Sequence, residues 1–265
     1  MKALDGKVAL ITGGNSGIGK ATSLAFARAG ARVVIAARGV ERGEEVAHEI
    51  QSVGGEAIFI RADLSKAGDI EALFKTAIEK YGRLDCAFNN AATEEGAFRL
   101  TADFTEEQFD RTMDVNLKGV WLCMAHEIRQ MLGQSPAGGS IVNTSSVNGL
   151  GGSRQGALYS ASKAGVLALT KSAAQEYAQQ GIRVNALVAG AFQTPMLERV
   201  FEKASGGDPE GRKAVEAQYQ QFISMGRIGR PEEAAEVVVW LCSDAASYVT
   251  GHSMIVDGGM TSAVR

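Results

Sequence analysis

The chain has 265 residues, 45% of them hydrophobic and 22% charged, with a formal net charge of −3. Such a chain buries a sizeable core, better as one α/β domain than as two small ones, and its near-neutral balance gives no electrostatic footprint for nucleic acid or an anionic membrane. Met1-Lys2-Ala3-Leu4-Asp5-Gly6-Lys7 lacks the apolar run of a signal peptide and no later stretch reaches membrane-spanning length, so a cytoplasmic protein is expected.

Short β-branched runs alternate with longer helical patterns. In chain order the pattern predicts a strand at 8–12, a helix at 17–29, a strand at 33–36, a helix at 41–53, a strand at 57–60 and a helix at 69–81. A strand at 86–88, a long helix at 106–131, a strand at 141–143, a helix at 159–179, a strand at 184–188, a helix at 232–241 and a strand at 254–256 follow. The strands are almost continuously apolar, which suits a parallel sheet covered on both faces. Gly30 and Gly181 stand where left-handed caps close helices. Pro231 before Glu232-Glu233 marks a helix start, with acids against the positive dipole end. This alternation predicts right-handed crossovers and a doubly wound sheet. With no linker, repeat or low-complexity tract, a single domain over 1–265 is expected.

The stretch 192–230 lacks strand character and mixes apolar residues with Gly206-Gly207-Asp208-Pro209. Its position after the sixth strand predicts a helical substrate lid; surface helices packed on the core are the alternative. Cys86, Cys123 and Cys242 are odd in number and lie in apolar surroundings, and His48, His126 and His252 are scattered. Reduced buried thiols and no metal site are expected.

The first strand ends in Thr12-Gly13-Gly14-Asn15-Ser16-Gly17-Ile18-Gly19, directly before a helix. Glycines at 13, 17 and 19 permit a tight turn and close backbone approach to a pyrophosphate, while the helix start offers free N–H groups. Gly13, Asn15, Ser16, Gly17, Ile18 and Gly19 are therefore the candidate phosphate-binding set. The second strand ends in Ala36-Ala37-Arg38, without the acid that commonly holds a ribose 2′-hydroxyl. A guanidinium grips a 2′-phosphate that a carboxylate repels. Arg38 thus predicts NADP(H) over NAD(H).

Tyr159 and Lys163 are one helical turn apart, thirteen residues after Ser146 of Thr144-Ser145-Ser146. Residues four apart share a helix face, and an adjacent ammonium draws a phenol down from its usual pKa of about 10. Adjacent strand residues face opposite sides, so only one of Ser145 and Ser146 can face the tyrosine, and the spacing favours Ser146.

Together, Thr12 to Gly19, Asp63, Asn89-Asn90-Ala91-Ala92, Asn116, Ser146, Tyr159 with Lys163, and Val256-Asp257-Gly258-Gly259 resemble the short-chain dehydrogenase/reductase family over essentially the whole chain. The resemblance implies a Rossmann-type doubly wound α/β fold with a seven-stranded parallel sheet of order 3-2-1-4-5-6-7. It implies an oxidoreductase that moves a hydride between a nicotinamide cofactor and a carbonyl or secondary alcohol. In it Asp63 and Leu64 contact the adenine, Asn90 and Ala91 line the cofactor beyond the fourth strand, and Phe192 and Thr194 flank the carboxamide. Tyr159 acts as general acid/base, Ser146 bonds the substrate oxygen, Lys163 bonds the ribose, and Asn116 holds a water that links Lys163 to solvent. A homotetramer is implied as well. A 3-oxoacyl carrier-protein reductase is the rival identity within the family; a non-catalytic dinucleotide-binding sensor or scaffold is the rival outside it. Ala92 replaces the family's glycine, and Ala189-Gly190 replaces its Pro-Gly after the sixth strand.

Overall fold

The computed structural model describes residues 2–262. Seven strands, β1 (Val8–Thr12), β2 (Arg32–Ala37), β3 (Glu56–Arg61), β4 (Cys86–Asn89), β5 (Gly139–Ser146), β6 (Ile182–Ala189) and β7 (Ser253–Val256), form one sheet. Their order is β3-β2-β1-β4-β5-β6-β7, with every pairing parallel. The order in which strands are added reverses between β1 and β4, one half of the sheet growing outward through β2 and β3 and the other through β5, β6 and β7, which opens a crevice at their carboxyl ends.

Side-chain alternation divides the core in two. Ala9, Ile11, Val33 and Ile35 point to one face, where α1 (Gly17–Arg28), α2 (Val40–Ser52) and α9 (Pro231–Cys242) contribute Phe26, Ile50 and Val238. Val8, Leu10, Val34 and Ala36 point to the other, against α3 (Ala67–Tyr81), α5 (Gly119–Gly133) and α6 (Ala157–Tyr177). Each fully buried Leu, Ile or Phe contributes about 1.5–3 kcal/mol of transfer free energy. The helix start at Pro231 is closed as expected: Arg230 N donates to Glu233 Oε2 at 2.7 Å.

β5 is longer than its apolar core. Ser140 and Ser145 lie outside the strand expected at 141–143, yet they and Asn143 are buried because each is satisfied across layers. Ser140 Oγ donates to Leu241 O at 3.0 Å, Asn143 Nδ2 to Thr170 Oγ1 at 2.9 Å, and Ser145 Oγ to Lys163 O at 2.8 Å.

The single helix expected over 106–131 is interrupted. It runs as α4 (Glu106–Met113), a π-helical turn at Asp114–Lys118, and then α5. The widened turn carries the buried Asn116, and it brings Gly119 so close to the loop after β3 that a methyl there would lie 2.7 Å from Leu64 O. Such π-turns recur at functional sites. The segment after β6 is helical, with α7 (Pro195–Ser205) and α8 (Pro209–Phe222). It buries a cluster of its own, Phe201, Ile223 and Ile228 with Leu197, Val200 and Tyr219.

Candidate active site

A crevice of about 1700 Å³ opens at the carboxyl ends of the strands, running from Arg38 and Asp63 past the Gly13–Ile18 turn to Ser146, Tyr159 and the apolar flank of α7. The turn is built for close approach. Gly13 has φ +65°, and a Cβ there would meet Ala91 Cα at 3.0 Å. At Gly19 a Cβ would fall 2.1 Å from Gly13 O, so Gly19 packs behind the turn and does not line the crevice. At the start of α1, Ser16 makes no side-chain cap and the first turn holds no acid. Its free N–H groups and dipole therefore suit an anion. Thr12 Oγ1 accepts from Asn90 N at 3.0 Å and Ala91 N at 3.2 Å, which fixes the end of β4 beside the turn.

Arg38 is exposed at the end of β2 and lines the far end with Asp63 and Leu64. Burial raises the Asp63 carboxyl, but bonds from Ser65 N and Oγ, with Arg38 and Lys66 nearby, outweigh it and hold the pKa low. Asn15, Ser16, Gly17, Ile18, Asn90, Ala91, Phe192 and Thr194 also line the crevice. Thr194 Oγ1 accepts from Leu197 N at 3.3 Å and so starts α7.

At the other end, Lys163 is 1% exposed, and its Nζ donates to Thr144 O at 2.9 Å and lies 5.7 Å from the centre of the Tyr159 ring. Burial depresses the Lys163 ammonium to about 8. Ser145 is turned to the backbone of α6, while Ser146 lines the crevice beside Tyr159, close enough to oppose the upward shift of its phenol. Tyr159 N donates to Gly96 O at 3.0 Å, which anchors the first turn of α6.

One expectation needs correction. The Tyr159 phenol is not drawn down but pushed up to about 12: burial dominates, the neighbouring Ser146 hydroxyl opposes it, and the charge of Glu94 adds to it. Lys163 does not counter this, because its ammonium is bound to the Thr144 carbonyl. Asn116 is fully buried on the π-turn. Its Oδ1 accepts from Thr93 N at 2.8 Å, and its Nδ2 donates to Thr93 O at 3.0 Å and to Ser162 Oγ at 3.3 Å. The amide ties the loop after β4 to α6.

Other lining residues have no sequence motif. Arg199 on α7 makes a two-pronged ion pair with Glu94, Nε to Oε1 at 2.6 Å and Nη2 to Oε2 at 3.1 Å. Lys203 Nζ lies 4.9 Å over the Phe98 ring. Both contacts latch α7 to the loop after β4. Among the described residues no group of three or more His, Cys, Asp or Glu could hold a metal ion, and no helix is long and apolar enough to cross a membrane. Cys86, Cys123 and Cys242 are buried free thiols.

Comparison with known proteins agrees with this architecture. Residues 13–261 match the family model described as enoyl-(acyl carrier protein) reductase. The chain is 41% identical over 262 residues to a 2,5-dichloro-2,5-cyclohexadiene-1,4-diol dehydrogenase of Sphingobium indicum, covering 98% of this chain and 99% of that one. It is 41% identical over 256 residues to the cyclohexanol dehydrogenase of Acinetobacter sp. strain SE19, covering 97% and 95%. The crystal structure of levodione reductase superimposes with a TM-score of 0.93 at 35% identity, over 98% of this chain and 100% of that one. The chain belongs to the short-chain dehydrogenase/reductase family. It is an oxidoreductase of alcohols and carbonyls, of a family that uses a nicotinamide dinucleotide.

Proposed function

We propose that this protein is an NADP(H)-dependent reductase and dehydrogenase that interconverts an uncharged alicyclic secondary alcohol and its ketone, with Tyr159 as general acid/base. The observation that carries the reading is the convergence of Ser146, Tyr159 and Lys163 on one wall of a crevice whose other end presents the glycine turn and Arg38. The turn fits a dinucleotide because its tight course tolerates no methyl at Gly13 or Gly19 and because the first turn of α1 offers uncapped N–H groups. The Gly13–Ile18 turn, Asn90 and Ala91 would hold the pyrophosphate and ribose, Asp63 and Leu64 the adenine, and Phe192 and Thr194 the carboxamide. When bound, the nicotinamide supplies or accepts the hydride.

The remaining work belongs to the protein. Ser146 donates a hydrogen bond to the substrate oxygen and stabilises the charge that develops there. Tyr159, with a pKa pushed up to about 12, carries its proton at neutral pH and can give it to that oxygen. Lys163, held on the Thr144 carbonyl and depressed to about 8, is poised to resupply that proton. Asn116 positions the Thr93 loop against α6.

The lining and the relatives support this substrate class. Met196, Leu197, Val200 and Tyr219 make the lid flank apolar, and two relatives are named for six-membered-ring alcohols. The charges at the mouth are paired, Arg199 with Glu94 and Arg111 with Glu95, which leaves less free basic surface for an acidic carrier protein. Exposed Phe109 and Trp121 on the α4–α5 face and Ile255 on β7 supply apolar surface for assembly into a homotetramer.

A panel of alicyclic, linear and carrier-linked ketones, assayed with NADPH and NADH in both directions, tests this. The reading expects turnover of cyclic ketones and higher kcat/KM with NADPH, with the preference lost in Arg38→Ala. Turnover confined to carrier-linked substrates contradicts the substrate class. A preference for NADH contradicts the role of Arg38, and cofactor binding with no turnover of any alcohol or ketone favours a sensor.

A further inference from the structure

Glu127 on α5 is completely buried, away from the crevice, and has a role in none of the steps above. Its Oε2 accepts from Asn89 Nδ2 at 3.0 Å, and the same nitrogen donates to Asn143 Oδ1 at 3.0 Å. Asn143 Nδ2 donates to Thr170 Oγ1 at 2.9 Å, and Thr170 Oγ1 donates to Val166 O at 2.8 Å. The chain of bonds therefore joins α5, β4, β5 and α6 through the middle of the molecule. Two buried atoms of this network stand without a partner, Glu127 Oε1 and Asn89 Oδ1. They are the second oxygen of the carboxyl and the oxygen of the very amide that already bonds its first oxygen. Two acceptors cannot satisfy each other, and each costs about 1–3 kcal/mol if left unpaired. One proton on Oε1 would let it donate to Asn89 Oδ1 and so satisfy both, closing a two-bond ring between an acid and an amide.

We propose that Glu127 is held as a neutral carboxylic acid that donates from Oε1 to Asn89 Oδ1, and that this ring is a positioning device for the floor of the dinucleotide crevice. Asn89 ends β4, and the next two residues, Asn90 and Ala91, are tied to Thr12 beside the glycine turn. Asn143 immediately precedes Thr144, whose carbonyl holds Lys163. The electrostatics agree: burial pushes the Glu127 carboxyl up to about 8 against the single opposing bond from Asn89. The groups linked to it from β4, β5 and α6, Asn89 directly and Asn143 and Thr170 through Asn89, are uncharged. Cys123 on its own helix is a thiol that burial and Glu127 push up. Lys163 of α6 is turned to Thr144, and His126 stacks on Phe74 of α3 at 5.1 Å.

The protonation state stands independently of the dinucleotide reading; the positioning role rests on it. Carbon-13 NMR of protein labelled at glutamate Cδ tests the first on the wild type, with Glu127→Gln used for assignment. The expected result is one glutamate signal at the carboxylic-acid position at pH 7 that titrates near 8, absent from Glu127→Gln. A full set of carboxylate signals at pH 7 overturns the proposal. Stability gives a second readout. A carboxyl whose folded pKa lies above its unfolded value loses stability as pH rises from the unfolded towards the folded pKa, then levels off. Relative to Glu127→Gln, which can close the same ring as an amide pair, the wild type should lose melting temperature between pH 5 and 8 and run parallel above. Parallel profiles throughout also overturn it. For positioning, the Kd of NADPH should weaken several-fold through pH 8 in wild type but not in Glu127→Gln; the same pH dependence in both refutes that half alone.

Discussion

Lys163 carries a stability cost that can be measured. Its ammonium is 1% exposed, and burial lowers its pKa from an ordinary 10.5 to about 8. At about 1.4 kcal/mol per pH unit, that difference of about two and a half units corresponds to about 3 kcal/mol. The sign follows from linkage. Between the two values the unfolded chain holds a proton that the folded one has released, so stability rises with pH across that window and the cost is present in full below about 8. Lys163→Met keeps most of the side-chain volume and removes the charge. Guanidinium melts of wild type and variant at intervals from pH 7 to 10.5 isolate the term, because all other titrations cancel in the difference. The variant should be favoured most at pH 7, with its advantage shrinking by about 3 kcal/mol by pH 10.5, while turnover falls by orders of magnitude. A stability difference that is constant across this range would refute the buried-cation account.

Gly19→Ala places a methyl 2.1 Å from Gly13 O and should weaken NADPH binding at least tenfold. Gly68→Ala in α3, with nothing within 4 Å of its added methyl, should be neutral or gain up to about 1 kcal/mol; equal effects at both sites count against the close-packed turn. Glu94→Gln breaks the latch to Arg199 and removes a charge that raises the Tyr159 pKa. Substrate KM should rise a few-fold, and the alkaline rise in alcohol oxidation should begin at lower pH; an unchanged pH profile shows that Glu94 does not act on the phenol.

The sheet was legible because its signals are local: apolar strands, a glycine turn between β1 and α1, and Tyr159 and Lys163 on one helical turn. The full length of β5 was not, because Ser140 and Ser145 are polar residues satisfied by partners in other layers. The π-turn at Asp114–Lys118 left no trace in periodicity. The latch joins Glu94 and Arg199 across a separation of 105 residues, so nothing in either neighbourhood announces it. The direction of the Tyr159 shift was misread because proximity to Lys163 is visible in spacing, whereas burial and the competing Thr144 carbonyl are not.

Turnover and cofactor affinity of Tyr159→Phe, measured side by side, bear most directly on the central assignment. Removing only the hydroxyl should cut kcat by at least three orders of magnitude, a size consistent with loss of a general acid at the reacting oxygen, while the fluorescence-derived Kd of NADPH stays within a few-fold of wild type. A variant that still turns over cyclic ketones at near-normal rates would place the proton donor elsewhere and contradict the account.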